Sequence, residues 1–524
     1  MRASDMRPTR TVARLAEWAL SWKITQSGFE RWRSIAIVAG GVLVPRGLVY
    51  AAGDGFHTDH LAPLLMMHLV DPGLLRANPF AALWDVHTNP PLFNFVVGAV
   101  LAWSPAPDAI SFQVLFTLGS VFSAIALCAV LQSAGCRRWV ATLVAVVVFS
   151  DPYLIGFDTF LAQESFAIPM LMALAWAVAA HAKRPTLGRY ALVLTAGSLL
   201  VLTRAMFHPV WLVAVVAGLA ILRPPPVEAR RLVLVSALPF VLITGVMVKN
   251  QIRFGTFSLS SWAGMNLSRV AVAPLGDEAR ERLIDEGVLS PMADVAAFQP
   301  YDQYAPYVES CDADFGSRAL DEPLKARTGT TFFNVNFNYA CFVPVYQQAQ
   351  RDALAAIRHE PRAYARSVGA NAILFVSESP GPPYLGGLTS GPADVLRWAH
   401  RVIDLQVTTT VSYPRLWSQR AYVQLSLVPG LAIVTIAGMG AAWRALRRRT
   451  RGQDVLALFV AITVANVAMV SVLMDAFETT RFHAPLDPLV YGAVFGGGLE
   501  LLLRRIAGPR AHSHESSEEA PVDM

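Results

Sequence analysis

IAIVAGGVLVPRGLVYAAGDGFHTDH (residues 35–60) decides how the chain folds. An apolar run long enough to cross a bilayer ends in a cluster of ionisable residues. Asp54, His57, Asp59 and His60 come first, and His68 and His87 follow before the next long apolar run. A chain this apolar has little reason to gather such groups at one membrane edge unless something charged or metal-bound works there.

The wider composition agrees. Of 524 residues, 54% are hydrophobic and 15% are charged. Apolar runs of spanning length recur, as in a polytopic α-helical membrane protein. The short alternating segments of a transmembrane barrel are absent. The net charge of +5 comes from arginine-rich loops between apolar runs. No basic stripe is interleaved with aromatics, so no nucleic-acid partner is expected. Cys128 and Cys136 lie near the inner side and are expected free. Cys311 and Cys341 share the one long hydrophilic loop, and a disulfide between them is open if that loop is extracytoplasmic. No CxxC or HExxH motif occurs.

The pattern predicts an all-α polytopic protein of about ten spans: 35–52, 109–133, 138–156, 160–180, 188–204, 208–222, 232–250, 421–443, 453–474 and 485–503. The loops then placed inside, with their immediate flanks, hold 23 of the 43 Lys and Arg. The short outside loops hold Arg76, Arg204 and Arg481. That asymmetry puts both termini in the cytoplasm. The expected organisation is a cytoplasmic segment 1–34 that is too long for an ordinary cleaved signal, then a membrane module 35–250 with a first outer loop 53–108. An extracytoplasmic loop subdomain of mixed composition, 251–420, follows, then a second membrane module 421–503 and a disordered cytoplasmic tail 504–524. Apolar stretches 92–103 and 368–377 are too short to span and fit interfacial helices. Residues 351–376 predict a helix, a break at Pro361, and a membrane-surface helix. Residues 377–392 predict a Pro/Gly-rich loop.

With this topology the membrane-edge ionisable groups fall on the outer side: Asp54, Asp59, His60, His87, Asp151, Asp158, Glu164, Arg204, His208, Lys249, Arg253, Asp475, Glu478, Arg481 and His483. An active site at the outer face, partly sunk in the membrane, would look like this. The chemistry that suits it is sugar transfer from a lipid-linked phosphate. A polyprenyl tail stays in the bilayer and its phosphate sits at the interface, where Arg and Lys can pair with the leaving group. An Asp at the edge can serve as general base on an acceptor hydroxyl.

Four stretches resemble the GT-C superfamily of integral membrane glycosyltransferases, which includes the protein mannosyltransferases and the aminoarabinose transferase of lipid A. In the first, Asp54 follows the first span with Ala62 eight residues on. The resemblance places the catalytic carboxylate at Asp54, with Asp59 as the alternative. The second is HTNPPLFNFVVGA (87–99), similar to a basic-Pro-Pro-Leu segment of the family. Asn89 stands where the family has His or Lys, and His87 lies two residues earlier. The third, KNQIRFGTFSLSSWAGMNL (249–267), is similar to the segment leaving a span for the outer domain. The fourth, FETTRFHAPLDPL (477–489), is similar to the opening of a late span and makes Arg481 a leaving-phosphate contact. In FLAQESFAIPMLMALAW (160–176), Glu164 opens a span as a family carboxylate often does.

The resemblance implies a GT-C-like enzyme of the plasma (inner) membrane with an extracytoplasmic active site. Its partners would be membrane lipid, a polyprenyl-phosphate sugar donor and a glycan, lipid or protein acceptor. Arg481, Arg204, Lys249, His87 and Glu478 are the expected substrate or phosphate contacts. No cofactor is required, and Glu164 is the residue that could order a divalent metal (Mg or Mn).

Plainer roles stand beside these. Asp59 can cap a helix, His87 can be an ordinary loop histidine, and Glu164 can complement a helix N-terminus. Arg204 and His208 can anchor span ends at headgroups. Arg481 can pair with Glu478 one turn back. Arg46, inside the first span, requires a carboxylate or phosphate partner that the sequence does not name. The rival function is a transporter or flippase of a lipid-linked saccharide. A transporter should carry polar groups at mid-membrane and often shows two related halves, and neither is visible.

Overall fold

The computed structural model describes residues 26–56, 68–309, 311, 314–325, 334–378, 388–413, 417–476 and 479–507. The architecture is that of a helical polytopic protein. Its membrane-module helices are α1 (Gln26–Ala51), α2 (Pro91–Trp103), α3 (Asp108–Ser133), α4 (Arg138–Phe149), α5 (Pro152–Gly156), α6 (Gln163–Lys183), α7 (Leu187–Thr203), α8 (Pro209–Leu222) and α9 (Ala229–Phe254). The segment expected to lie outside, the outer part, carries α10 (Ala263–Ala271), α11 (Asp277–Asp285), α12 (Phe342–His359), α13 (Pro361–Phe375), β1 (Ser377–Glu378), α14 (Gly391–Ile403), β2 (Gln406–Tyr413) and β3 (Trp417–Gln424). The chain returns with α15 (Leu427–Leu446), α16 (Gly452–Met474), α17 (Asp487–Tyr491) and α18 (Gly497–Ala507).

Six of the described helices are long and apolar enough to cross a membrane: α1, α3, α6, α9, α15 and α16. Helices α2, α4, α7 and α8 are apolar but shorter. Proline begins many of them, because its missing N–H is an orphan donor in a first turn anyway. Pro91, Pro209 and Pro361 are examples. Gly255 closes α9 in the left-handed region at φ 66°, which a Cβ disfavours.

Three expected elements differ. Residues 138–156 are not one helix but α4 and α5. Pro152 cannot continue the ladder, and the Asp151 side chain accepts from the Tyr153 amide at 2.8 Å to start a new turn. The last helix is broken too, with a π-turn at Gly492–Gly496 between α17 and α18. Residues 421–424 belong to β3, not to a span. QVTTTVSY carries five β-branched residues in a row, Val407 to Val411, and pairs antiparallel with β3 from Gln406↔Gln424 to Tyr413↔Trp417, while β1 adds to the other edge of β3. The helix, break and helix expected over 351–376 are found as α12 and α13.

The outer part has its own core, built on Trp262, Met265, Tyr304, Phe337, Phe342 and Tyr346. Cys311 and Cys341 form a disulfide beside it. Helix α10 packs close against α12: a Cβ on Gly264 would lie 2.3 Å from the Tyr346 carbonyl oxygen. That close approach fixes the face α10 turns toward the membrane module.

Helix ends gather in two sets. The start of α6, the end of α7, the start of α8 and the end of α16 meet around Gln163, Arg204, His208 and Asp475. At the other ends of these helices, Arg223 donates to the Ala182 carbonyl at 3.2 Å. His181 Nε2 pairs with the Arg223 carbonyl at 2.9 Å, and Gly452 lies against Ala182. Lys183, Arg184, Arg223 and Arg451 mark this second set.

Arg46 has the partner its burial demands. Its Nε donates to Asp158 Oδ2 at 2.6 Å and its Nη1 to the Phe149 carbonyl at 2.6 Å. Ser120 donates to Asp158 Oδ1 at 2.9 Å. One ion pair thus ties α1, α3, the end of α4 and the loop before α6. Removing one member leaves an uncompensated buried charge. Asp158→Ala is expected to cost about 3–5 kcal/mol, read as a lowered unfolding midpoint in detergent. The double variant Arg46→Leu/Asp158→Leu should recover much of the loss. Equal destabilisation in both variants would show that the pair is not the tie.

Candidate functional site

At the first set of helix ends lies a cavity of about 430 Å³. Arg204 caps the C-terminus of α7 and Arg481 leaves a short helix Thr479–Phe482. Both line the cavity. Glu164, in the first turn of α6, is fully buried and does not line it. It holds the two arginines that do: Arg204 Nη1 contacts Glu164 Oε1, and Arg481 Nε lies 2.9 Å from the same oxygen. The Arg204 guanidinium also stacks over the Phe482 ring, 4.6 Å from its centroid.

The outer part closes the cavity with one face of α10. Ala263, Asn266 and Arg269 recur at helical spacing, with Trp262 just ahead. Arg269 Nη1 lies 3.6 Å from Asp475 Oδ1, which also lines the cavity. Asn89, Gln163 and Asn466 supply amides, and Gln163 Nε2 donates to Asn89 Oδ1 at 3.4 Å. His68 meets Trp262 edge-on, with ring centroids 5.1 Å apart. Among the described residues, the cavity end therefore gathers three guanidiniums and two carboxylates, with amides and aromatic faces alongside. Val210 and Met469 line it as well, yet are 68% and 56% exposed, so an apolar edge of the cavity opens to the outside.

The residues expected from sequence divide. Arg204 and Arg481 come together here with Glu164. The metal role expected of Glu164 does not fit its surroundings, because its carboxylate is committed to two guanidiniums, which would repel a cation. Arg481 makes a long-range contact with Glu164; its expected helix-turn partner, Glu478, lies outside the described residues. Asp59 and Glu478 lie outside the described residues, as do His57, His60 and residues 379–387 of the Pro/Gly-rich loop.

Asp54, Lys249 and His87 do not line the cavity. Asp54 accepts from the Thr389 amide at 2.9 Å, the Thr389 hydroxyl at 3.1 Å and the Ser390 amide at 2.8 Å. It thereby binds the start of α14. Partial burial works against its charge, but these hydrogen bonds outweigh that and hold the carboxyl below its usual range. Lys249 Nζ donates to the Trp84 and Val86 carbonyls at 3.1 and 2.8 Å. Arg253 beside it pairs with Asp85 at 3.0 Å. Both fasten the first outer loop.

His87 is buried, with Nδ1 2.7 Å from Ser261 Oγ and Nε2 3.0 Å from the Asn338 carbonyl oxygen. The carbonyl only accepts, so Nε2 carries the proton and Nδ1 accepts from serine. His87 is a tether between the first outer loop and the outer part. It acts on the cavity indirectly, by holding Asn89 two residues on.

Sequence reasoning passed over Arg269, Trp262 and Asn266 as site residues, although their shared helical face was there to be read. It named Asp475 as a membrane-edge group without giving it a role. No family model matches the chain, and no curated protein or solved structure matches it.

Burial, reinforced by the nearby Lys249 and Arg253 charges, pushes the His87 imidazole down to about 3. In the unfolded chain it titrates near 6.5. Between those values the unfolded state holds the extra proton, so stability is lost as pH falls from about 6.5 toward 3. The slope is at most about 1.4 kcal/mol per pH unit. His87→Gln should flatten this part of the acid dependence in unfolding measurements between pH 7.5 and 4.5. An unchanged slope would show that His87 is not a buried neutral tether.

Proposed function

We propose that the chain is a GT-C-like membrane glycosyltransferase that moves a sugar from a polyprenyl-phosphate donor to an extracytoplasmic glycan, lipid or protein acceptor. The observation that carries the reading is Arg204 and Arg481, oriented by buried Glu164, in the wall of a cavity at the ends of apolar helices. Two guanidiniums held at fixed angles suit a phosphate leaving group, which they bind as ground-state anion and stabilise as its charge grows. The amides of Asn89, Gln163 and Asn266 suit sugar hydroxyls, and the Trp262 face suits a pyranose ring. The exposed apolar edge at Val210 and Met469 suits a prenyl chain entering from lipid.

In this reading the chain crosses the plasma (inner) membrane ten times, with α4–α5 and α17–α18 as broken spans and both termini cytoplasmic. The two sets of helix ends support that orientation: the set with Lys183, Arg184, Arg223 and Arg451 takes the inner side by the positive-inside rule, and the cavity the outer side. Asp54 is proposed to take the acceptor proton, because its hydrogen bonds keep it ionised at the outer edge. Asp475 is the comparison carboxylate, since it lines the cavity. The reaction needs no metal at Glu164.

The test uses purified protein with a panel of radiolabelled polyprenyl-phosphate sugars. Arg481→Ala should weaken donor binding by roughly 30-fold or more, as for loss of one partner of a buried charge contact. Asp54→Asn should retain donor binding and lower transfer by about 10²–10⁴. If Asp475→Asn abolishes transfer while Asp54→Asn transfers normally, the base is Asp475. If the wild type translocates the lipid-linked sugar in vesicles but transfers nothing, the chain is a flippase and the enzyme reading fails.

A further inference from the structure

Away from the cavity, a second group of buried polar side chains gathers where α14 meets the membrane module. Asp151 caps α5, and His400 and Asp404 sit in the last turn and at the end of α14. The three are 3%, 7% and 2% exposed. His400 Nδ1 lies 3.9 Å from Asp151 Oδ2, and one donor atom from each residue falls within 4.8 Å of the others.

The surroundings lack the cations such a group needs. Glu378 on β1 faces the charges of Asp151 and Asp404 and accepts a hydrogen bond from Gln406 Nε2 at 2.5 Å. Asp487 is already matched: His483 Nδ1 lies 2.8 Å from it, while Nε2 must donate to the Ser377 carbonyl at 3.1 Å, so the ring is held as an imidazolium. That leaves Asp151, Glu378 and Asp404 facing one histidine. No arginine or lysine pairs with them among the described residues.

An independent sign lies in the unsatisfied atoms. Asp404 Oδ2 is buried with no hydrogen-bond partner among the described residues, and so are the Tyr491 hydroxyl and the Gln424 amide. Tyr491 feels the charges of Asp404, Asp487, Asp151 and Glu378, which places its hydroxyl at the same cluster. Buried carboxylates of this kind are either protonated or bound to a cation.

We propose that Asp151, His400 and Asp404 bind a divalent transition-type cation, Zn²⁺ or Mn²⁺, that clamps α14 onto the end of the α4–α5 corner. Two carboxylates and one imidazole form a mixed oxygen and nitrogen set that suits these ions better than Mg²⁺ or Ca²⁺, which prefer oxygen alone. A tetrahedral ion about 2.1 Å from each donor sets the donors about 3.4 Å apart. The triad therefore closes on it by about 1.4 Å or less. Glu378 and Tyr491 are the groups that would orient the ligands or a bound water. The clamp is independent of the transfer reaction, and its test needs no sugar donor.

The full chain, stripped with chelator in detergent, is titrated with Mn²⁺ followed by electron paramagnetic resonance of the free ion, and with Zn²⁺ followed by thermal unfolding. One ion per chain and a metal-dependent rise in the unfolding temperature are expected. Asp404→Asn and His400→Gln should each weaken binding at least about tenfold. Asp394→Asn, exposed at the start of α14, should not. If Asp404→Asn does not fold, His400→Gln decides. The proposal is overturned if the wild type binds neither ion at the one-site level, or if binding and the thermal shift persist unchanged in the variants that fold.

Discussion

A charge inside a bundle of apolar helices must have a partner, and that constraint organises this protein more than any single hydrophobic contact. Arg46 sits at a position where the neighbouring residues are apolar, so its guanidinium reaches Asp158 and the Phe149 carbonyl and draws four elements to one point. Glu164 shows the same demand at higher charge. A fully buried carboxylate against two guanidiniums is stable only while all three stay in place. The cost of desolvation therefore acts as a position signal: it fixes where α6, α7 and the Thr479–Phe482 turn meet.

That meeting point lies at helix ends, and the reason is elementary. The middles of α3, α6 and α16 are mostly apolar, with isolated hydroxyls such as Ser120 and Thr463, and offer few hydrogen-bond partners to a charged side chain. Helix ends have unpaired backbone groups and loops that bend toward them. Polar residues collect there, and one face of α10 completes the enclosure from outside. Gly264 is what brings that face close, because any side chain at this position would meet the backbone of α12. A packing detail in the outer part thus sets the position of Arg269 and Asn266 in the cavity.

The sequence made the helices legible because apolar runs of spanning length survive any rearrangement of loops. It also carried the demand of Arg46 for a partner, since the cost of burying a guanidinium does not depend on topology. The partner itself was not legible, because Asp158 lies 112 residues away and many carboxylates competed for the role. Arg204 and Arg481 were visible as membrane-edge cations, but their common bond to Glu164 is a tertiary fact. The β2–β3 hairpin was hidden because the end of β3, residues 421–424, borders an apolar run and was absorbed into the expected span. His87 looked like a site residue because it falls among the membrane-edge ionisable groups and because HTNPPL resembles a basic-Pro-Pro-Leu segment. Its neutral, doubly bonded state became readable only once Ser261 and Asn338 were placed against it.

Asp54 brings these strands together. It holds the start of α14 through the Thr389 and Ser390 amides, and the Asp151, His400 and Asp404 group sits at the other end of the same helix. Helix α14 is amphipathic, and Val395, Trp398 and Val402 remain exposed on its outer face. It is attached through its two polar ends and through Ala393 and Leu396, which pack with Val49 and Ile155. Loss of the Asp54 carboxylate would remove the proposed proton acceptor and at the same time release one anchor of α14. A Thr389→Ala change removes one of the Asp54 contacts and leaves the carboxylate in place. The two roles of Asp54 are therefore separable: a mechanical role is felt from either partner, whereas a chemical one belongs to the carboxylate alone.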